Sequence, residues 1–164
     1  GRVLRPAGVL MGLVEARAGW SVLLTKRASG LKHHPGQIAF PGGKVDPEDA
    51  DSVAAALREA DEEVGLNPAQ VRVLGTMPAH ETVTGFSVTP VLGVVEGSYT
   101  PVVEAGEVDE AFLVPLAHLL NPDAYQVQSR IWLGQRRSYY AVPWGPYYIW
   151  GATARMLRAL AARV

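Results

Sequence analysis

Hydrophobic residues in the first part of the chain recur with the two-residue period of β-strands. The segment 7–15 is largely apolar and partly β-branched, an Ala-Gly break follows it, and the segment 20–26 alternates again. Two such runs joined by a short break predict a β-hairpin. A basic, turn-rich stretch comes next, and Pro41-Gly42-Gly43 ends a brief apolar run. We expect the chain to bend sharply at these glycines.

The segment 51–64 has the period of an amphipathic helix. Its apolar positions fall on one helical face, namely Val53, Ala56, Leu57, Ala60 and Val64. Asp49 or Asp51 can cap the start of this helix, and Gly65 can end it. One side of the helix is therefore expected to pack against a core.

The rest of the chain predicts further strands and a closing helix. The expected strands are 71–77, 87–95 and 111–114, with 126–133 and 138–142 as a second hairpin. The expected helical segments are 116–120 and 153–163, the latter with Met156, Leu157 and Leu160 inward. This order of strands and helices favours an α/β fold, an α/β/α sandwich with a mixed β-sheet. The length of 164 residues fits one domain, residues 1–164.

Composition narrows the classes of function. The chain is 48% hydrophobic and 19% charged, which is typical of compact globular proteins. Its net charge of -1 argues against a nucleic-acid or membrane-surface binder, so we expect no nucleic acid and no membrane among its partners. The absence of cysteine excludes disulfides and thiolate chemistry. A cytoplasmic location is the default expectation.

Three glutamates lie close together on the predicted helix. Residues four apart on a helix have Cβ atoms about 5–6 Å apart, so Glu59 and Glu63 share a face, with Glu62 beside them. Converging carboxylates repel one another unless a cation neutralises them, and the hard ions Mg²⁺ and Mn²⁺ prefer such oxygens. A divalent metal site is one interpretation. The other is a solvated helix face on which Arg58 and Glu62 form an ordinary ion pair.

The residues around these glutamates carry a longer pattern. Residues 58–65 read Arg-Glu-Ala-Asp-Glu-Glu-Val-Gly, and Gly42-Gly43 precede them. The pattern resembles the signature of the Nudix hydrolases, which is Gly, five residues, Glu, seven residues, Arg-Glu, an aliphatic residue, any residue, Glu-Glu, any residue, Gly and an aliphatic residue. The spacing to Gly43 is one residue longer here than in that signature, and Asp49 or Glu48 stands in for the outer glutamate.

The resemblance implies a Nudix-type α/β/α sandwich that hydrolyses pyrophosphates with Mg²⁺ or Mn²⁺. Glu59 and Glu63 are implied as main metal ligands, and Glu62 as a further ligand or a support for them. Arg58 is implied to orient the carboxylates, and a loop carbonyl near Gly43 to add a ligand. Metal ions neutralise the diphosphate oxygens, acidify a bound water and align its attack.

A second motif lies upstream of the first. Residues 23–43 read Leu-Leu-Thr-Lys-Arg-Ala-Ser-Gly-Leu-Lys-His-His-Pro-Gly-Gln-Ile-Ala-Phe-Pro-Gly-Gly. This stretch is similar to the motif of coenzyme A pyrophosphatases within the Nudix family, with Lys32 replacing the usual Arg. The resemblance, together with the local positive charge, predicts a substrate-binding set. The set consists of Arg27, Lys32, Gln37, Gly42 and Gly43.

Two further segments leave alternatives open. Nudix enzymes often draw a general base or an extra ligand from a loop such as 104–110, where Glu107 is our candidate; a solvated loop acid is the alternative. The aromatic-rich segment 125–150 predicts either core packing, a homodimer contact or stacking on an adenine.

The function predicted from the sequence is hydrolysis of the diphosphate of coenzyme A, or of an acyl derivative. The products are adenosine 3',5'-bisphosphate and 4'-phosphopantetheine. Two alternatives remain. One is a Nudix hydrolase of ADP-ribose or another nucleoside diphosphate derivative, and the other is a non-catalytic Nudix domain that senses a nucleotide.

Overall fold

The structure, a computed structural model, describes residues 3–17, 19–30 and 36–164. Within these ranges the strands are β1 (Arg5–Ala16), β2 (Gly19–Arg27), β3 (Ile38–Ala39), β4 (Gly42–Lys44), β5 (Val71–Thr76), β6 (His80–Glu81), β7 (Phe86–Val95), β8 (Val108–Pro115), β9 (Gln126–Trp132) and β10 (Gln135–Ala141). The α-helices described are α1 (Ser52–Val64), α2 (Leu116–Leu119) and α3 (Gly151–Ala161). The predicted binding residue Lys32 lies outside the described residues.

Eight strands of the described chain form one mixed sheet. Its main path runs β3, β2, β1, β7 and β5, while β4 pairs with β1, β6 with β7 and β8 with β2. The strands β1 and β7 are parallel, and the other pairs are antiparallel. Leu13 lies opposite Val22 in the pairing of β1 with β2, so the first predicted hairpin is confirmed.

The two faces of this sheet carry separate cores. Leu10 of β1 packs in a cluster with Ala56, Ala60 and Val64 of α1. The next residue, Met11, packs in the other cluster, which includes buried residues of α3. Because neighbouring strand residues point to opposite faces, α1 and α3 cover opposite sides of the sheet. The predicted α/β/α sandwich with a mixed sheet is confirmed.

Local interactions fix both ends of α1. The carboxylate of Asp51 accepts a hydrogen bond from the backbone N–H of Ala54, so Asp51 is the N-cap and Asp49 is not. Gly65 ends the helix in the left-handed conformation, with φ of 66°. A Cβ at Gly8 would lie 2.0 Å from the carbonyl oxygen of Ser52, so only glycine lets the start of α1 approach β1 this closely.

The second predicted hairpin is also present, although β10 begins at Gln135, three residues earlier than expected. The strands β9 and β10 form their own two-stranded sheet, apart from the main one. Most of this hairpin is exposed. The predicted closing helix is α3, with Met156, Leu157 and Leu160 buried as expected. No helix among the described residues has the length and apolar character needed to cross a bilayer.

Candidate active site

The loop before α1 places backbone against the acidic face of this helix. The strand β4, which contains Gly42 and Gly43, pairs with β1. The N–H of Gly42 donates a hydrogen bond to Oε2 of Glu63 over 3.0 Å. A Cβ at Gly43 would lie 2.8 Å from the carboxyl carbon of Glu59. The two glycines therefore let the loop touch both carboxylates, which share one face of α1 as the helical spacing predicted.

Glu63 is the most buried acid of this site, with 7% of its surface exposed. Burial raises its pKa to about 8, against the opposing effect of the Gly42 N–H, and the charges of Glu59 and Glu107 raise it further. Arg27 is close enough for its charge to lower this pKa in part. The carboxyl group therefore lacks a sufficient counter-charge from the protein around it.

Glu59 lies beside Glu63 and is half-buried. Burial raises its pKa, although the hydrogen bond from Arg58 opposes this effect. The charges of Glu62 and Glu107 add to the increase. Glu59 and Glu63 thus form a pair of carboxyl groups in a partly desolvated position, where a bound cation would favour their ionised forms.

Arg58 is held by acids on both sides. Its Nε and Nη2 donate to the carboxylate of Asp49 over 3.0 and 2.9 Å, and its Nη1 donates to Glu59 over 2.7 Å. The hydrogen bond with Asp49 raises the pKa of Arg58 and lowers that of Asp49. Asp49, rather than Glu48, thus occupies the outer acidic position. Arg58 therefore contacts Glu59 directly, and its role in orienting this carboxylate stays a prediction.

Glu62 and Glu107 are placed differently from the buried pair. The Glu62 carboxylate lies 3.4 Å from Nη1 of Arg58, and 56% of this side chain is exposed. The ordinary i, i+4 ion pair is thus formed, and Glu62 lies outside the desolvated position. Glu107 is exposed, but its loop is bound to α1 because the N–H of Glu104 donates to the Glu63 carbonyl over 2.9 Å. The charge of Glu107 acts on both Glu59 and Glu63.

The donors of this site suit a hard divalent ion. In the described part of the chain, no three acidic or histidine side chains converge tightly enough to surround one ion. Glu59 and Glu63 nevertheless supply two adjacent carboxylates, and the glycine loop brings backbone to them. Mg²⁺ binds through one or two carboxylates and keeps several waters, so a two-carboxylate set is a sufficient fit.

A cleft of about 1100 Å³ opens next to these carboxylates. Arg27, Gln37, Gly42 and Gly43 line it, so the structure brings together four of the five predicted substrate-binding residues. The Nε of Arg27 is buried and has no hydrogen-bond partner among the described residues. A buried unpaired donor of this kind is costly, and an acceptor on a bound ligand would satisfy it.

A second wall of the cleft, which we call the hairpin wall, consists of residues outside the predicted substrate-binding set. They come from the second hairpin and the start of α3, and include Arg130, Trp132, Arg137, Trp150 and Arg155. The aromatic segment was expected in a core, at a homodimer contact or on an adenine. Its residues divide between the cleft and the core, since Tyr125 and Tyr147 pack against the core. The homodimer stays a prediction. The arginines interspersed with aromatic residues in this segment were the sequence signal that could have identified this wall.

Family membership follows from the sequence match. A sequence model of the NUDIX domain matches residues 4–135. The chain belongs to the Nudix family. It is a Nudix hydrolase, and enzymes of this family act on small-molecule substrates, generally with a divalent metal such as Mg²⁺ or Mn²⁺.

Bacterial Nudix relatives match almost the whole chain. It is 42% identical over 168 residues to the Nudix hydrolase NudL of Enterobacter sp. (strain 638), across 98% of this chain and 83% of that protein. It is 39% identical over 160 residues to NudL of Escherichia coli (strain K12 / DH10B), with the same coverage. Both relatives are named as uncharacterized, so they support the hydrolase class and leave the substrate open.

Solved Nudix structures confirm the predicted Nudix-type fold. The Nudix hydrolase RenU of M. smegmatis matches with a TM-score of 0.60 and 25% identity, over 72% of this chain and 81% of that one. The C. elegans Ap4A hydrolase, solved as a binary complex, matches with a TM-score of 0.59 and 20% identity, over 68% and 80%. The Nudix domain of Shewanella oneidensis NrtR, solved with ADP ribose, gives 0.55 and 20%, over 73% and 78%.

Proposed function

We propose that residues 1–164 act as a single Nudix hydrolase domain that cleaves the diphosphate of coenzyme A or its acyl derivatives. The products are adenosine 3',5'-bisphosphate and 4'-phosphopantetheine, the latter acylated when the substrate is a thioester. The observation that carries the proposal is the shared position of Gly42 and Gly43, which touch the Glu59–Glu63 pair and also line the cationic cleft. A diphosphate in this cleft would meet the acidic pair at the same loop.

Glu59 and Glu63 would hold Mg²⁺ or Mn²⁺, with the carbonyl near Gly43 and Glu62 as further candidates. When bound, the metal ion supplies charge neutralisation of the diphosphate and acidification of water. Arg58 orients Glu59 through their 2.7 Å contact while Asp49 fixes the other edge of the guanidinium. This arrangement keeps Glu59 from rotating away from the loop.

Glu107 is the proposed proton acceptor. Water attacks one phosphorus, the bond from that phosphorus to the bridging oxygen breaks, and the proton of the water passes to a base. Glu107 suits this role because it is exposed and its charge acts on both Glu59 and Glu63. Arg27 and Gln37 bind the diphosphate oxygens from the other side of the loop.

Two features favour coenzyme A over smaller diphosphates. The volume of about 1100 Å³ lies at the upper end for small-molecule sites, and coenzyme A is a long substrate. The upstream motif, which includes Lys32 outside the described residues, is similar to that of coenzyme A pyrophosphatases. ADP-ribose hydrolysis and nucleotide sensing are the competing functions, and a cytoplasmic location stays a prediction.

The test is a parallel substrate assay. Purified protein with Mg²⁺ or Mn²⁺ is offered coenzyme A, acetyl-coenzyme A, ADP-ribose and nucleoside triphosphates, and the phosphorylated products are separated by chromatography. We expect coenzyme A or its thioester to give the highest kcat/KM. Turnover of ADP-ribose or a triphosphate without turnover of coenzyme A would overturn the substrate assignment. Binding of nucleotides without any turnover would support the sensing domain instead.

A further inference from the structure

The second hairpin contains a pair of like charges that the fold does not require. Arg130 of β9 lies directly opposite Arg137 of β10. Residues in this relation point to the same face of a hairpin, with Cβ atoms about 5 Å apart, and like charges there are unfavourable. Both arginines line the cleft. The proposed substrate site therefore contains two neighbouring positive charges.

Neither arginine is compensated within the described chain. The ion pairs found among the described residues involve only Arg58 and Arg72 as cations. Arg155, the third arginine of this wall, already donates to His80 and to the Glu81 carbonyl. The guanidinium groups of Arg130 and Arg137 are thus the cations of this wall that can meet an anion from solution.

Aromatic rings orient one member of the pair. The Cζ atom of Arg130 lies 5.5 Å from the ring centroid of Trp132 and 5.1 Å from that of Trp150. Cation–π contacts of this kind restrain an exposed guanidinium without neutralising its charge. A preorganised cation binds an anion with less loss of side-chain entropy.

A different cation, Arg27, lies beside the proposed position of the scissile diphosphate. Arg27 belongs to the main sheet, lines the cleft beside the glycine loop, and is close enough for its charge to act on Glu63. The arginine pair belongs to the separate two-stranded sheet on the other wall. A substrate that fills the cleft therefore meets a second cationic position besides that of Arg27.

We propose that Arg130 and Arg137 together bind a phosphate monoester on the nucleoside end of the substrate, apart from the scissile diphosphate. This inference rests on the proposed function for its substrate, in which that group is the 3'-phosphate of coenzyme A. The two planar guanidinium groups offer several N–H donors to one tetrahedral anion. The pair therefore determines specificity for phosphorylated over dephosphorylated substrates.

The kinetic test compares coenzyme A with dephospho-coenzyme A, which lacks only the 3'-phosphate. For the variant R130Q/R137Q we expect KM for coenzyme A to rise about 10- to 100-fold, as for the loss of charged hydrogen bonds. KM for dephospho-coenzyme A and kcat for both should stay within about two-fold of wild type. An equal rise for both substrates, or no rise, would overturn the inference.

Arg136 provides the matched control. It is adjacent to Arg137 in β10, does not line the cleft, and donates to the Ser129 hydroxyl. The variant R136Q removes one positive charge from the same hairpin, so it measures the general electrostatic effect. We expect R136Q to leave the preference for coenzyme A over dephospho-coenzyme A unchanged, and the single variant R137Q to lower it. An equal loss of this preference in both single variants would assign the effect to net charge and overturn the inference.

A binding measurement separates this inference from the proposed function. Calorimetric titration of metal-free protein with adenosine 3',5'-bisphosphate and with adenosine 5'-monophosphate requires no catalysis. We expect the bisphosphate to bind about ten-fold more tightly to wild type, and this advantage to disappear in R130Q/R137Q. If coenzyme A is not hydrolysed but the advantage is found, the proposed function fails and the phosphate site stands. If the variant keeps the advantage, the phosphate site is wrong.

Discussion

The acidic face of α1 and the hairpin wall of the cleft, which includes residues of β9 and β10, handle charge in opposite ways. On the acidic side, Arg58 is shared among Asp49, Glu59 and Glu62, and Glu63 is buried. On the hairpin side, Arg130 and Arg137 are exposed and have no ion-pair partner among the described residues. A network of internal contacts fixes geometry, whereas solvated charges remain available to a ligand. The difference supports the proposed division, with chemistry at the acidic face and substrate recognition at the hairpin wall.

The largest effect should come from the acidic face of α1. We expect E63Q to lower kcat by at least about 100-fold because it removes a proposed metal ligand, while KM changes little. Steady-state kinetics at saturating Mg²⁺ would measure kcat and KM. Titration of both proteins with Mn²⁺ would measure metal binding. Full activity in E63Q would show that Glu63 holds no essential metal.

The same substitution should stabilise the metal-free protein in a pH-dependent way. The pKa of Glu63 is raised to about 8 when folded, above its value in the unfolded chain, so the folded state binds the extra proton between these two values. The Glu63 contribution therefore falls as pH rises from about 4.3 through 8. We expect the Tm of E63Q to exceed that of wild type at pH 8 and to approach it at pH 5. Scanning calorimetry in chelator would check this, and a pH-independent difference would contradict it.

Two adjacent glycines allow activity to be separated from stability. A Cβ at Gly43 would displace the end of the Glu59 side chain, whereas a Cβ at Gly42 would lie 2.4 Å from the carbonyl oxygen of Gly8. We therefore expect G43A to lose about ten-fold or more in kcat with little change in Tm. G42A should lose several degrees in Tm. Equal Tm losses in both variants would contradict the role of Gly43 in admitting Glu59.

A smaller effect is expected on the hairpin wall. W132A should raise KM for coenzyme A about three-fold because Arg130 loses one of its two aromatic contacts, while kcat stays unchanged. Ile131 is the control, since it is 70% exposed and does not line the cleft. Its substitution by Ala should alter neither constant. A fall in kcat for W132A would contradict the division, because it would show that the hairpin wall also affects the chemical step.

The smallest effect tests the scaffold alone. D51A removes the N-cap of α1 and should cost about 1 kcal/mol of unfolding free energy. Because Asp51 contacts none of the acidic pair, kcat and KM at 25 °C should equal those of wild type. Urea denaturation with a parallel activity assay would measure both. Loss of activity beyond the loss of folded protein would show that the cap positions the site.

Interactions between residues near in sequence were the predictable part. The helical period, the capping acid and Gly65 placed α1 within one residue, and the same period put Glu59 and Glu63 together. Choosing Asp49 over Glu48 required the observed path of the loop, because both lie within reach in sequence. These features depend on local geometry, which the chain determines over short distances.

The position of the hairpin wall was not predictable in the same way. Arg27 and Arg130 are far apart in sequence, and a strand pattern does not say where a hairpin lies in space. The pairing of Arg130 with Arg137 also depended on the start of β10, which was placed three residues late. A different register would not have placed the two arginines opposite each other. Their pairing could therefore not be predicted without knowing where the turn between β9 and β10 lies.

The separate pairing of β9 with β10 also has an evolutionary consequence. In the described chain these strands hydrogen-bond to each other and to no strand of the main sheet, and the family match ends at Gln135, the first residue of β10. Mutations in an exposed hairpin of this kind cost little stability, so they accumulate more readily than mutations in a core. Such mutations change one wall of the cleft and leave the proposed metal-binding loop and helix intact.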